Sequence, residues 1–252
     1  MKLSRIILAV LLFVSAAVRA EHVPAAFDSA NAAYAKGKYD VAIKFYESIL
    51  ADNQESAALY FNLGNAYFKS NNTGMAILNY ERAKKLSPDD EEINENLKLA
   101  NQRTEDKIEA APQLFLSAWK NGITDLMTEK QWSLTSIALV FIGLFLIAIY
   151  IISGNRVLKQ AGFFGGSVVL ILSVFVFFLA RNKYTTTINS TSAIITSGAV
   201  TVTGSPSESG TKLFILHEGV KVEITNEEND WTEIRIVNGN VGWIKSANLQ
   251  KI

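Results

Sequence analysis

Two long apolar runs dominate the hydrophobic pattern of the chain. Residues 133–152 (SLTSIALVFIGLFLIAIYII) and 161–180 (AGFFGGSVVLILSVFVFFLA) contain no charged side chain and leave no polar face for water. With a rise of about 1.5 Å per residue, each covers about 30 Å as a helix, which is the thickness of the hydrocarbon core of a bilayer. The connection 153–160 is short, so the pattern predicts a two-helix transmembrane hairpin rather than a buried hairpin of a soluble core. Gly162 and Gly166 are spaced to pack closely on the first span or on a partner's helix.

A shorter apolar run lies at the N-terminus. Lys2 and Arg5 precede the uncharged residues 6–18, and Val18 and Ala20 fit the small-residue positions before a cleavage site. This order is typical of a secretory signal peptide cleaved after Ala20, and an uncleaved anchor is the alternative. Either interpretation sends the following residues across a membrane. The signal sequence places both flanking segments of the hairpin outside the membrane and the loop 153–160 in the cytoplasm.

The segment 57–90 has the spacing of small and aromatic residues that packed helix pairs need. Its landmarks are Tyr60, Leu63, Gly64, Tyr67, Ala76, Tyr80, Ala83 and Pro88. A shift by 34 residues superposes a second set at residues 27–56, with Ala30 on Gly64 and Tyr46 on Tyr80. The pattern resembles the tetratricopeptide repeat, which implies two antiparallel helix pairs in an all-α solenoid.

A third helix is predicted over residues 88–108. Ser87 is expected to be its N-cap and Pro88 its first residue, and the acidic residues that follow favour a helix start over a cation site. One face carries the apolar residues Ile93, Leu97 and Ala100. That face can cover the open edge of the second repeat, as the caps of solenoids do.

An amphipathic linker is predicted over residues 111–132, which lead from this helix to the first span. Its apolar side chains suit the outer membrane interface. Aromatic residues stand near the ends of the spans, at Trp132, Tyr150 and Tyr184. These positions fit the aromatic belts of a membrane protein.

The resemblance to tetratricopeptide repeats implies a concave peptide-binding face, lined by the first helix of each pair. By register, its candidate residues are Phe27, Asn31, Tyr34, Phe61, Asn65, Phe68 and Lys69. The asparagines can hydrogen-bond the backbone of a ligand while the rings hold its side chains; the alternative is that the asparagines only support the fold. A basic clamp for a C-terminal carboxylate is not formed, because Phe27, Glu92 and Asn96 stand where Lys or Arg is needed.

The C-terminal residues 188–252 alternate short β-rich runs with turn signals. Strands are predicted at 193–195, 199–203, 212–216, 221–225, 232–237 and 242–244. Asn238-Gly239 between two of these runs is a strong hairpin signal, and strands at this spacing predict a small all-β barrel. The segment resembles bacterial SH3-like (SH3b) domains through His217-Glu218-Gly219, Asp230-Trp231, Asn238-Gly239 and Gly242-Trp243-Ile244.

Two tryptophans of this domain are candidates for a ligand platform. The resemblance implies recognition of peptides or cell-wall material, and the faces of Trp231 and Trp243 suit such extended chains. The alternative for each ring is a place in the core of the barrel. His217 lies beside a turn and is interpreted as structural.

Composition narrows the possible functions. The formal net charge is zero, with 24 basic and 24 acidic residues, which argues against a nucleic-acid binder. The flanking segments 21–111 and 188–252 are both acidic, which strengthens that exclusion. There is no cysteine, and His22 and His217 are the two histidines, so thiolate sites, multi-histidine metal centres and a Ser-His-Asp triad are not expected. We therefore expect a non-enzymatic protein without a cofactor.

The order of the modules resembles BatE-like proteins of the Bacteroides aerotolerance (Bat) system. That resemblance implies a periplasmic scaffold in the bacterial inner membrane. Its partners would be von Willebrand factor A-type Bat membrane proteins and other Bat components, with a MoxR-type ATPase, in tolerance of oxygen or envelope stress. The alternative is a cell-wall anchor or sensor whose SH3b domain binds peptidoglycan.

Overall fold

A computed structural model represents the protein. It describes residues 25–111, 122–189 and 191–252. The predicted signal peptide, residues 1–20, lies outside these ranges, as does much of the predicted linker 111–132. The chain divides between Glu55 and Ser56 into two compact units.

The described part of the first unit is a pair of helices, α1 (Ala25–Ala35) and α2 (Tyr39–Ala51). Gly37 turns the chain between them with a φ of 71°, a left-handed conformation that glycine adopts without steric cost. Ala30 and Ala42 are completely buried. The helix pair expected for the first repeat is therefore present, with small residues where the helices meet.

The second unit begins with three helices, α3 (Ala57–Lys69), α4 (Thr73–Leu86) and α5 (Glu91–Gln102). The side chains of Ser56 and Asn72 cap α3 and α4 by accepting main-chain N–H groups of the first turn. A Cβ atom at Gly64 would lie 2.7 Å from the ring of Tyr80 on α4. Only glycine at this position lets the two helices approach so closely, as the repeat pattern predicts.

Helix α5 starts later and ends earlier than the predicted range of 88–108. Its N-cap is Asp90, whose carboxylate accepts the N–H groups of Glu92 and Ile93. Ser87 instead ends α4, because its own N–H donates to the Ala83 carbonyl oxygen. The apolar face of α5 is buried as predicted, at Ile93, Leu97 and Ala100. Beyond Arg103 the chain has no regular secondary structure up to residue 111.

Helices α6 (Glu129–Ile152) and α7 (Arg156–Asn189) form an antiparallel pair, and both are long and apolar enough to cross a bilayer. The predicted connection 153–160 was too long. The side chain of Asn155 accepts the N–H of Val157 at 2.8 Å, so α7 already begins at Arg156. The helix also continues past the predicted end of the second span at residue 180.

Glycines of α7 face α6. A Cβ atom at Gly162 would lie 2.7 Å from the carbonyl oxygen of Leu146, and one at Gly166 would lie 2.9 Å from the side chain of Ile147. The spacing of Gly162 and Gly166 predicted packing either on the first span or on a partner's helix. The structure shows packing on the first span, within the hairpin.

Trp132, one of the residues expected near a membrane interface, packs inside the hairpin. Its ring is buried against Val176 and Ala180 of α7. The indole N–H donates to the carbonyl oxygen of Thr124 at 3.1 Å, and Lys183 Nζ donates to the same oxygen at 2.9 Å. These contacts tie the residues before α6 to the far end of α7.

The C-terminal domain is a seven-stranded antiparallel sheet. Its strands are β1 (Ser192–Ile195), β2 (Ala199–Thr203), β3 (Lys212–His217), β4 (Lys221–Glu228), β5 (Trp231–Arg235), β6 (Val241–Lys245) and β7 (Leu249–Lys251). They lie in the order β3-β2-β6-β5-β4-β1-β7. The sheet coils around one core, because Ile195 of β1 and Leu216 of β3 belong to the same buried cluster although their strands lie far apart in that order.

The strand predictions hold apart from their ends. Residue 188 is not the start of this domain, because α7 continues to Asn189 and the first strand begins at Ser192. Strand β7 was missed, since it has only three residues and follows a 3₁₀ turn at Ser246–Asn248. The predicted hairpin at Asn238-Gly239 is present, with Gly239 at a φ of 91°.

Candidate binding surfaces

In the first repeat, the three candidate residues contact tyrosines of α2. Asn31 Oδ1 accepts a hydrogen bond from the Tyr46 hydroxyl at 2.6 Å. Phe27 meets the ring of Tyr46 edge-on at 5.8 Å between centroids, and Tyr34 meets Tyr39 at 5.3 Å. Burial, followed by the charge of Tyr34, raises the pKa of Tyr46 to about 12, so its hydroxyl remains a donor at any physiological pH.

The second repeat reproduces this arrangement. Asn65 Oδ1 accepts a hydrogen bond from the Tyr80 hydroxyl at 2.7 Å, and Asn96 Nδ2 of α5 donates to the same oxygen at 2.9 Å. Phe61 lies 5.9 Å from the ring of Tyr80. Both asparagines therefore have a role in holding their repeat together, which is the alternative that the sequence left open beside ligand binding.

Phe68 and Lys69 lie at the end of α3. The guanidinium carbon of Arg103 sits 3.7 Å from the centroid of the Phe68 ring, a close cation–π contact. Lys69 is exposed to solvent. On the surface of the second repeat, Arg103 therefore covers the ring of Phe68, while the neighbouring Lys69 is open to solvent.

Both tryptophans of the β domain stand outside the buried core. Along β5 and β6 the buried residues are Thr232, Ile234, Gly242 and Ile244. Trp231 and Trp243 occupy alternate positions, so they share the outer face of the sheet, each half-buried. In the ladder Trp231 is opposite Lys245 and Trp243 is opposite Glu233, which makes the two tryptophans diagonal neighbours.

Trp231 lines an open cleft of about 250 Å³, and Trp243 does not. Charged residues surround the cleft, namely Glu208, Lys212 and Lys245. Glu208 and Lys245 form an ion pair, and the hydrogen bond from Lys245 lowers the pKa of Glu208. An aromatic wall beside charges of both signs suits an extended polar chain rather than an apolar small molecule.

The β domain also contacts the second repeat. Lys221 Nζ lies 2.8 Å from Glu81 Oε2, and Arg82 donates to the Lys251 carbonyl oxygen at 2.7 Å. Lys85 donates to the main-chain oxygen of Ile252 at 2.9 Å. Side chains of α4 thus contact the first residue of β4 and the chain at the end of β7.

Two glycines allow this contact to be close. A Cβ atom at Gly74 of α4 would lie 3.2 Å from the Ile195 carbonyl oxygen. Gly219, with a φ of 90°, would place a Cβ atom 2.8 Å from Ile77 Cδ1. Gly219 belongs to the motif that indicated the SH3-like domain, and it serves a turn and this contact together.

His217 lies at the same contact. Its main-chain N–H donates to Asp106 Oδ2 at 2.7 Å, and its ring Nδ1 lies 3.0 Å from Asp106 Oδ1. Nε2 lies 3.5 Å from Glu105 Oε1. The hydrogen bond to Asp106 is the main cause that raises the pKa of His217; partial desolvation opposes it, and the charges of Asp106 and Glu105 add to it.

Comparison with known families agrees with both folded modules. Residues 27–91 match the family model of the tetratricopeptide repeat. Residues 199–250 match that of the bacterial SH3 domain. Domains of both families are typically interaction modules. No curated protein matches the chain.

The residues that join the SH3 domain to the second repeat were missed by sequence reasoning. Glu81 and Lys221 are 140 residues apart, and Asp106 and His217 are 111 apart. No repeat or motif links the two residues of either pair, although Glu81 lies in the second repeat and His217 in the SH3-like motif. The one available signal was His217 itself, a single imidazole beside a turn in an acidic domain.

Proposed function

We propose that the protein is a non-enzymatic adaptor of the bacterial inner membrane, which holds partner proteins through its tetratricopeptide repeats and its SH3 domain. Both matched families consist of interaction modules. The hairpin of α6 and α7 would anchor the two modules in the bilayer. The predicted signal peptide supports a periplasmic position for both.

The observation that carries this proposal is the contact between the SH3 domain and α4. The apolar hairpin separates the two modules in sequence, yet Lys221 meets Glu81 and Arg82 meets Lys251. Such contacts support a topology in which both modules lie on one side of the membrane. A pair of spans produces that topology, because each span crosses the bilayer once.

The contact between the SH3 domain and α4 leaves the cleft beside Trp231 open. Lys221 is the first residue of β4, whereas Glu228, the last one, pairs with Trp231. These are opposite ends of the strand, and the residues that line the cleft belong to the SH3 domain. The SH3 domain can therefore bind a partner at the cleft while it stays on the repeat. Phe61, Phe68 and Lys69 of the second repeat are proposed as a further partner surface.

The resemblance to Bat-type proteins suggests which partners to test first. Von Willebrand factor A-type Bat membrane proteins and other Bat components are the proposed ones, in a complex that protects against oxygen or envelope stress. The resemblance in module order supports this part of the proposal.

Crosslinking in intact membranes followed by purification tests the adaptor. We compare the wild type with Lys69→Glu and Trp231→Ala, and use Lys98→Glu, an exposed change on α5, as the charge-matched control. Each of the first two changes is expected to remove a different set of crosslinked proteins, because each alters one surface without touching a buried core. Recovery of the same proteins from all four chains would contradict the proposed surfaces.

Peptidoglycan is the second candidate ligand, because the cleft beside Trp231 combines an aromatic wall with charges of both signs. The full chain in nanodiscs is sedimented with purified sacculi. Co-sedimentation that Trp231→Ala abolishes and Trp243→Ala preserves would support the anchor function. Absence of co-sedimentation leaves the protein adaptor as the better account.

A further inference from the structure

Residues 104–111, here named the exit segment, lead from α5 toward the membrane helices. They have no helix or strand of their own. The segment nevertheless lies on the SH3 domain through three contacts of different chemistry. Thr104 and Lys107 also donate to main-chain carbonyl oxygens at the end of α5, and the SH3 domain holds the remainder of the segment.

The first contact recognises a carboxylate. Asp106 spans two donors of one residue, the main-chain N–H of His217 at 2.7 Å and the ring Nδ1 at 3.0 Å when that nitrogen carries its proton. The Asp106 side chain is 18% exposed, so most of its surface is removed from water. A carboxylate held by two donors is the kind of contact that gives direction and specificity.

The second and third contacts follow along the chain. Ile108, two residues after Asp106, packs against the buried core of the SH3 domain. The N–H of Ala111 donates to the carbonyl oxygen of Val237 at 3.1 Å. Asp106 and Ile108 are two residues apart, and the main-chain hydrogen bond of Ala111 follows three residues later, so the SH3 domain contacts the segment at spaced positions along its length.

We propose that this face of the SH3 domain, from His217 to Val237, is a peptide-recognition site, and that the exit segment is its ligand in cis. The ligand class is an acidic peptide with an aliphatic side chain two residues after an aspartate. A partner that carries this pattern competes with the exit segment for the face. The site is separate from the cleft at Trp231.

The tether explains why the site is filled in this structure. A segment in the same chain has an effective concentration in the millimolar range, so weak contacts are enough to keep it bound. A partner in trans must bind more tightly or must act when the exit segment is pulled away. The site thereby links the position of the SH3 domain to the residues that follow α5. The inference needs neither the membrane nor the proposed partners to be correct.

Binding of a labelled peptide to the full chain in nanodiscs tests the site. The peptide has the sequence of residues 103–111, RTEDKIEAA. The wild-type chain is expected not to bind it, because its own segment occupies the face. A chain with Asp106→Asn and Ile108→Asp frees the face and is expected to bind at least about tenfold more tightly than the wild type.

Matched controls make the result specific. Glu109→Gln changes an exposed charge of the same segment and is expected to behave as the wild type. A peptide with the two changes at 106 and 108 is expected not to bind the freed chain. The inference is overturned if the freed chain does not bind the wild-type peptide, or binds both peptides equally.

Amide hydrogen exchange in the Ile108→Asp chain shows whether the segment is a ligand or part of the fold. A ligand predicts faster exchange at His217 and Ala111, by about tenfold or more, while the β5–β6 ladder keeps its protection. Loss of protection throughout the sheet would mean that Ile108 is a core residue of the domain, and the proposal would be wrong.

Discussion

His217 is the titratable residue that makes binding at the proposed peptide site depend on pH. Asp106 and Glu105 of the exit segment face its ring, and Arg103, Glu218 and Thr73 line the adjoining cavity. The hydrogen bond to Asp106 raises the pKa of His217 above its ordinary value of 6.5. In the free domain, without the carboxylates, the pKa returns toward that value, so protonation and peptide binding favour each other.

Binding of the peptide is expected to be tighter at acidic than at alkaline pH. Binding is strongest below a pH of 6.5, the ordinary pKa of the free group, and weakens as the pH rises through the raised value of the complex. In the freed chain with Asp106→Asn and Ile108→Asp, we expect several-fold tighter binding of the wild-type peptide at about pH 5.5 than at about pH 8.5. Fluorescence anisotropy at the two pH values measures this. His217→Gln should remove the difference; an equal difference in that variant would assign the effect to another group.

The asparagines show what residue spacing can and cannot tell. Their spacing of 34 residues predicted equivalent places in two repeats. It did not tell whether the side chains face a ligand or a neighbour. Each accepts a hydrogen bond from a tyrosine 15 residues later, Tyr46 or Tyr80. Because these tyrosines recur with the same spacing, the sequence contained a signal for the structural pairing.

At the scale of elements, the helical hairpin depends on close approach of α7 to α6. The two neighbouring glycines Gly162 and Gly165 differ sharply in their surroundings. A Cβ atom at Gly162 would lie 2.7 Å from main-chain oxygen of α6, whereas one at Gly165 would first meet a side chain at 3.7 Å. A main chain cannot move aside as a side chain does, so only the first position excludes larger residues.

Gly162→Val is therefore expected to lower the melting temperature of the detergent-solubilised protein. Overpacking should reduce the free energy of unfolding by about 1–3 kcal/mol. Gly165→Val introduces the same side chain into the same helix and is the control. Thermal unfolding followed by size-exclusion chromatography compares the two. Equal melting temperatures would show that the helices do not pack through Gly162.

Elements were predictable where a pattern repeats, and their ends were not. The apolar runs, the helix pairs and six strands followed from periodicity and turn residues. The start of α5 was misplaced because Ser87 and Asp90 are both good caps, and the competing role of Ser87 at the end of α4 decides between them. Strand β7 escaped because three residues carry no recognisable alternation.

At the scale of the whole molecule, the order of modules was readable but their contact was not. Family patterns describe each module separately, whereas the contact depends on side chains such as Glu81 and Lys221 that no motif includes. A single ion pair whose lysine is half exposed to solvent contributes little. The close fit at Gly74 and Gly219 gives the contact its shape, and it was visible only in three dimensions.

The central claim is that both modules lie on one side of a membrane that the hairpin crosses. The chain has no cysteine, so single cysteines can be introduced at Lys98, Gly154 or Glu228 and labelled in spheroplasts with an impermeant maleimide. The account predicts labelling of Lys98→Cys and Glu228→Cys from outside, and of Gly154→Cys only after the membrane is opened. Labelling of Lys98→Cys and Glu228→Cys from opposite sides, or of all three from one side, would contradict it.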